Sequence, residues 1–186
     1  TYTQLAMSHD YHIEPMREFV ERIHRHGAKL GIQLHHPGRQ GYSSSIHSLP
    51  LLIPIVDRFP NVLDSVYKCT PLLNKLEKNA LLWPVQAPYK GELANHGAMR
   101  IRQMSRREVK NLVRDFVNAA MRCKKAGVDL VELHGGHGYI IQQFLSPNTN
   151  RRTDEYGGSF ENRLRFLAEI VDGIRAECGR DYPLMV

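Results

Sequence analysis

The chain has 186 residues, 42% of them hydrophobic and 24% charged, with a formal net charge of +6. That balance is ordinary for a globular fold and excludes a collagen-like, low-complexity or wholly disordered chain; no apolar run nears the ~20 residues of a membrane helix. The three cysteines, Cys69, Cys123 and Cys178, form no CxxC pair, which argues against a disulfide framework or zinc knuckle and for a reducing, cytoplasmic setting.

The start at Thr1, with no signal-peptide pattern behind it, reads as processing or a fragment. Met16, Phe19, Val20 and Ile23 recur at helical spacing, with Pro15 suited to the first turn and Gly27 to the end. Residues 29–34 follow as a strand. Ser105 and Glu108 have capping-box spacing and open a second helix, striped by Val109, Leu112, Val113, Phe116, Val117 and Ala120 and stopped by Gly127. Residues 128–134 are the second strand. A third helix follows Ser159, carries Leu164, Leu167, Ile170, Val171 and Ile174, stops near Gly179, and leads into a strand at 183–186. Helix, glycine, strand, repeated, is the rhythm of an α/β fold with parallel strands.

The rhythm breaks between Gly38 and Ser105, far longer than an ordinary βα connection. Six prolines there (Pro50, Pro54, Pro60, Pro71, Pro84 and Pro88), with a weak apolar stripe of Val62, Val66, Leu72, Leu73 and Leu76, predict a loop or lid with short helices at about 43–100. A closed eight-strand α/β barrel takes roughly 250 residues. The chain therefore reads as an interior piece of one: a single partial barrel domain over 1–186.

Strands alternate their faces. Leu30, Ile32 and Leu34 face one way and Gly31 and Gln33 the other; Val131 and Leu133 oppose Glu132 and His134. Parallel strands are normally apolar on both faces, so these polar residues need partners. Glu132 is read as an inward carboxylate that meets a cation. Gln33 and His134, near the strand ends that form a barrel's active face, are read as facing a ligand. His134-Gly-Gly-His137-Gly-Tyr139 places two imidazoles and a phenol together, a set suited to polarising a carbonyl and delivering a proton. It is a weak metal motif, and no G-x-S-x-G, Walker or complete dinucleotide fingerprint accompanies it.

The stretches VELHGGHGYI at 131–140 and QFLSPNTNRRTDEYGGSFENRLRF at 143–166, with QLHHPGR at 33–39, resemble the Old Yellow Enzyme family. Those enzymes are FMN-dependent NADH:flavin oxidoreductases on an eight-stranded α/β barrel. The two-histidine form is more similar to the bacterial ene-reductase and 2,4-dienoyl-CoA reductase-like branches. The resemblance implies an interior fragment, roughly strands 3 to 5 with a large insertion after strand 3, inactive alone. It implies that Gln33 contacts FMN, that His134 and His137 bind the activating oxygen of an alkene substrate (enone or enoate), and that Tyr139 is the proton donor. NADH or NADPH is the implied cosubstrate. An iron–sulfur cluster and FAD belong only to regions outside this chain, and the full-length protein has room to form a homo-oligomer.

Other signals are read structurally. Gly157-Gly158 forms a turn before the Ser159 cap. Arg151, Arg152, Asp154, Glu155 and Arg163 pin a loop. Arg100, Arg102, Arg106, Arg107, Lys110 and Arg114 form a solvated face with no aromatic interleaving, so no nucleic-acid or membrane partner is expected, only a small-molecule substrate. Trp83 anchors the insertion. Two other readings stay open: a non-catalytic truncated barrel, and a metal-dependent hydrolase using His35, His36, His134 and His137.

Overall fold

The computed structural model describes residues 5–40, 85–89 and 101–186. The apolar stripe at 62–76, Trp83 and most of the expected insertion at 43–100 lie outside the described residues. Two short 3-10 helices, Asp10–His12 and Gly38–Gln40, flank the first long helix and strand. In chain order the other elements are α1 (Ile13–His24), β1 (Gly31–Leu34), β2 (Val85–Ala87), β3 (Ile101–Gln103), α2 (Arg106–Lys125), β4 (Leu130–Leu133), α3 (Ile140–Leu145), α4 (Phe160–Cys178) and β5 (Leu184–Met185).

β1, β4 and β5 form one parallel sheet in that order. This is the architecture expected from the helix–glycine–strand rhythm. The strands are shorter than their apolar patterns, because pairing holds only where a neighbour supplies backbone partners. Two elements were not anticipated. One is the parallel pair β2–β3, a small sheet where only loop and helix were expected. The other is α3, whose Ile140, Ile141 and Phe144 are wholly buried.

Helix ends follow their sequence signals. Ser105 Oγ accepts from the Glu108 N–H at 3.3 Å, and Glu108 accepts from the Ser105 N–H at 2.8 Å, closing the box that starts α2. Ser159 caps α4 by accepting from the Asn162 N–H at 3.3 Å. Gly27, Gly127 and Gly179 carry φ of 75°, 87° and 86°, so each stop glycine ends its helix in a conformation awkward for other residues.

The core lies between the sheet and helices α2, α3 and α4. Phe144 and Phe166 stack at 4.2 Å, and Phe116 and Tyr156 meet that pair edge-on at 6.3 Å each. α4 approaches α2 closely at Gly173, where an added Cβ would come within 2.6 Å of Val117. Cys123 and Cys178 are buried free thiols, and burial, then Cys178 nearby, pushes the Cys123 thiol up to about 12. Phe19, expected on the buried stripe of α1, is 41% exposed, whereas Met16 and Val20 are buried; it sits at the edge of the stripe.

Asp129 ties the helix-to-strand turns together. It accepts from the Leu30 N–H at 2.9 Å and faces His24 Nε2 at 2.7 Å and Lys29 Nζ at 2.9 Å. These contacts, the Leu30 N–H first, hold its carboxyl well below the usual range. Gln33 then stands opposite Glu132, and Leu34 opposite Leu133. His35 and His134 emerge side by side where the strands end.

Candidate active site

The sheet delivers the site. Leu34 accepts from the His134 N–H at 3.0 Å, so both chains leave the sheet at the same level. Period two puts Gln33 and His35 on one face of β1 and its extension, and Glu132 and His134 on the matching face of β4.

His134, His137 and Tyr139 come together as expected. His134 Nε2 lies 3.2 Å from His137 Nδ1. The two rings are 5.0 Å apart, and the Tyr139 ring is 4.9 Å from that of His134. One imidazole donates and the other accepts in this pair, according to tautomer. The cluster has a fourth member that the sequence reading considered only as a metal ligand. The His35 ring lies 5.3 Å from Tyr139 and 6.3 Å from His134. Burial, then His134, lowers the His35 pKa, which favours a neutral ring.

His36 points elsewhere. Its Nδ1 accepts from the Gly38 N–H at 3.1 Å, and its carbonyl accepts from the Ile140 N–H at 3.0 Å. Burial, then His35, pushes it down to about 4. The four-histidine metal site is therefore not assembled, and among the described residues no group of three or more His, Cys, Asp or Glu side chains is placed to hold a metal ion.

Glu132 corrects an expectation. Its partner among the described residues is not a cation but the Gln33 amide, which donates to Oε1 at 2.9 Å. The register explains it: Gln33 is directly opposite Glu132, the position where side chains of adjacent strands meet. Gln33 keeps one N–H and its carbonyl oxygen on an exposed face. Gly31, two residues earlier, adds no side chain there, because Leu130 already lies 2.9 Å from where a Cβ would stand. An exposed amide with a donor and an acceptor to spare has the chemistry to pair with a heterocycle that presents both, as a flavin ring does.

The sequence reading also missed a set of glutamines. Gln143 is 1% exposed. Its amide donates to the carbonyls of Pro37 at 3.1 Å and Gly138 at 2.5 Å, and accepts from the Arg39 N–H at 3.0 Å. Gln40 donates to the His137 carbonyl at 2.7 Å, and Gln142 accepts from the Gly138 N–H. The available signal was polar Gln143 between buried Ile141 and Phe144.

The remaining charges are structural. Arg152 makes a bidentate pair with Asp154 at 2.9 and 2.6 Å, and donates to the carbonyls of Pro88 at 3.0 Å and Met104 at 2.6 Å. Arg163 donates to the Leu145 carbonyl at 2.8 Å. Arg106, Arg107, Lys110 and Arg114 are exposed, as a solvated helix face requires. Among the described residues no helix is long and apolar enough to cross a membrane.

The chain is similar to known proteins in sequence and fold. The NADPH dehydrogenase of Geobacillus sp. (strain WCH70) is 35% identical over 182 residues, covering 98% of this chain and 42% of the relative. The Old Yellow Enzyme of Pichia sp. AKU4542 superposes with a TM-score of 0.70 at 28% identity, covering 96% of this chain and 40% of that one. A histamine dehydrogenase from Rhizobium sp. 4-9 superposes at 0.68 with 33% identity, over 95% of this chain and 22% of that one. The chain thus spans less than half the length of these relatives. Residues 1–186, including the His134, His137 and Tyr139 turn that follows β4, match the NADH:flavin oxidoreductase / NADH oxidase family throughout, and the chain belongs to that family.

Proposed function

We propose that this chain carries the substrate-activating part of an FMN-dependent oxidoreductase that passes hydride from NADH or NADPH to an activated alkene. The observation that carries it is the convergence of His134, His137 and Tyr139 on the face that also holds Gln33. β1, β4 and β5 are read as the third to fifth strands of an eight-strand barrel, with about 43–100 inserted after the third.

Gln33 is the residue of this chain that would hold FMN, using the amide groups that Glu132 leaves free. Bound FMN supplies the hydride for the alkene β-carbon. The protein's own residues do the rest. His134 and His137 each turn an N–H toward the substrate's carbonyl oxygen and stabilise the negative charge that develops there. In the structure those two nitrogens face each other at 3.2 Å; as the oxygen enters the bond between them opens, and the ring that accepted donates from that nitrogen in its other neutral tautomer. Tyr139 then gives its phenolic proton to the α-carbon. This donor set favours a carbonyl-activated alkene over an amine, because an amine presents no oxyanion for two imidazoles.

The test is stopped-flow kinetics of FMN-loaded full-length protein. Tyr139→Phe is expected to leave flavin reduction by NAD(P)H unchanged. It should slow reoxidation by a weakly activated enone on the order of 10²-fold, within the usual range for general acid catalysis. Equal slowing of both halves, or of neither, would show that Tyr139 only packs.

A further inference from the structure

His137 has a φ of +55° and Gly138 follows at +74°. Two left-handed residues in succession are sterically costly where one carries a Cβ. Among the described residues His137 is the one non-glycine in that region. It bears a site imidazole, and Tyr139 follows the turn directly, so whatever holds this turn sets where both side chains stand.

We infer that Gln143, assisted by Gln40, is a positioning residue for His137 and Tyr139. The inference rests on the reading of these two as the oxygen-binding group and the proton donor. Two carbonyls, Pro37 and Gly138, and one N–H, Arg39, converge on the Gln143 amide in a buried space. Only a group with two donors and an acceptor satisfies all three. An ionised glutamate would set a carboxylate against two carbonyl oxygens, and an apolar side chain would leave all three groups unpaired. Gln143 lies in α3, the first helix after the turn, while Pro37, Arg39 and Gln40 belong to the loop after β1. The amide therefore joins the loops from two neighbouring strands at the point where the site is built. Gln40, from the same loop, donates to the His137 carbonyl at 2.7 Å, so the peptides on both sides of the Gly138 Cα are fixed by side-chain amides.

The experiment is a double-mutant cycle in FMN-loaded full-length protein, reading flavin reoxidation by a weakly activated enone. Gln143→Met keeps the side chain's length and removes its donors. It is expected to slow reoxidation about 10-fold or more, since small misplacements of reacting groups carry large rate costs. In the Tyr139→Phe background the same change is expected to cost clearly less than in the parent protein, because one of the two groups it positions is gone and only the loss through His137 remains. A purely structural defect would multiply with Tyr139→Phe instead, and that result overturns the inference. A normal rate for Gln143→Met with a slow Tyr139→Phe overturns the inference alone; a normal rate for Tyr139→Phe overturns the proton-donor reading and the inference with it. Should Gln143→Met fail to accumulate, Gln40→Met, which removes the bond to the His137 carbonyl from a part-exposed loop residue, is tested in the same cycle with the same expectations.

Discussion

Gln33 and Glu132 show how a side chain's partner sets its use. The amide donates to Glu132 at 2.9 Å and keeps a donor and an acceptor on the open face. Gln33→Leu is expected to weaken FMN binding by the full-length protein roughly 10- to 100-fold, the scale of a lost hydrogen bond to or beside a charged group. An unchanged FMN dissociation constant would reduce Gln33 to a strand residue that pairs Glu132. His36 makes a second case. Its folded pKa of about 4 lies below the ordinary 6.5, so on acidification the unfolded chain takes up the proton first. Stability from the neutral ring is whole above about pH 6.5 and is lost as pH falls from there toward 4. The slope reaches at most about 1.4 kcal/mol per pH unit, one proton's worth. His36→Asn, whose Oδ1 can replace Nδ1 as acceptor for Gly38, is expected to flatten that part of a denaturation-versus-pH profile. A slope unchanged in this variant would assign the acid sensitivity elsewhere.

Among the elements, α2 is the one whose start is most fully specified by local chemistry. Ser105 and Glu108 satisfy each other's N–H groups, and Glu108 also accepts from the Ser105 hydroxyl at 2.8 Å. Ser105→Ala removes one half of this exchange and is expected to cost about 1 kcal/mol, read as a shift in denaturant midpoint at constant slope. A loss below ~0.3 kcal/mol would mean that packing of Val109, Phe116 and Ala120 fixes the start of α2 and the cap adds little. α3 is the opposite case. It has six residues and no side-chain cap at its N-terminus; its Ile140 N–H leans on the His36 carbonyl of another loop, and its Gln143 and Phe144 carbonyls accept from the Thr149 and Asn150 side chains. Isolated helices of this length are unstable in water, so α3 persists because Ile140, Ile141 and Phe144 are buried.

Across the whole molecule, Arg152 joins separate parts of the chain. Its guanidinium links the loop after α3 to Pro88, just past β2, and to Met104, just past β3, while pairing with Asp154. The side chain is 1% exposed. Arg152→Met would leave two buried carbonyls without this donor and the Asp154 carboxylate with only the Tyr156 N–H. It is expected to cost about 3–5 kcal/mol, the range for breaking a buried pair from one side, measured by denaturant unfolding of the full-length protein. A cost under ~1 kcal/mol would show that water replaces the guanidinium. The Arg152 hydrogen bond is also the main reason the Asp154 carboxyl lies below its ordinary value. That contribution is present above about pH 4 and fades as pH falls through the folded pKa, a lower window than that of His36.

The sequence by itself determined the parts whose cause is local. Apolar spacing, the caps at Ser105 and Ser159 and the stop glycines specify α1, α2 and α4. Strand period two put Gln33 and His134 on faces that need a polar partner. The spacing of His134, His137 and Tyr139 was enough to single them out, because all three follow one strand. Tertiary structure decided what depends on register between distant segments. Pairing of β1 with β4 made Gln33, not a cation, the partner of Glu132, and brought His35 beside His134 and Tyr139. The β2–β3 pair needed two segments, each too short to show a period, to find one another. α3 needed burial to exist at all, and Gln143 gained its role because two loops placed two carbonyls and an N–H around one amide. No periodicity encodes such a convergence: the groups it satisfies are backbone atoms, identical in every residue, and only folding sets them in place.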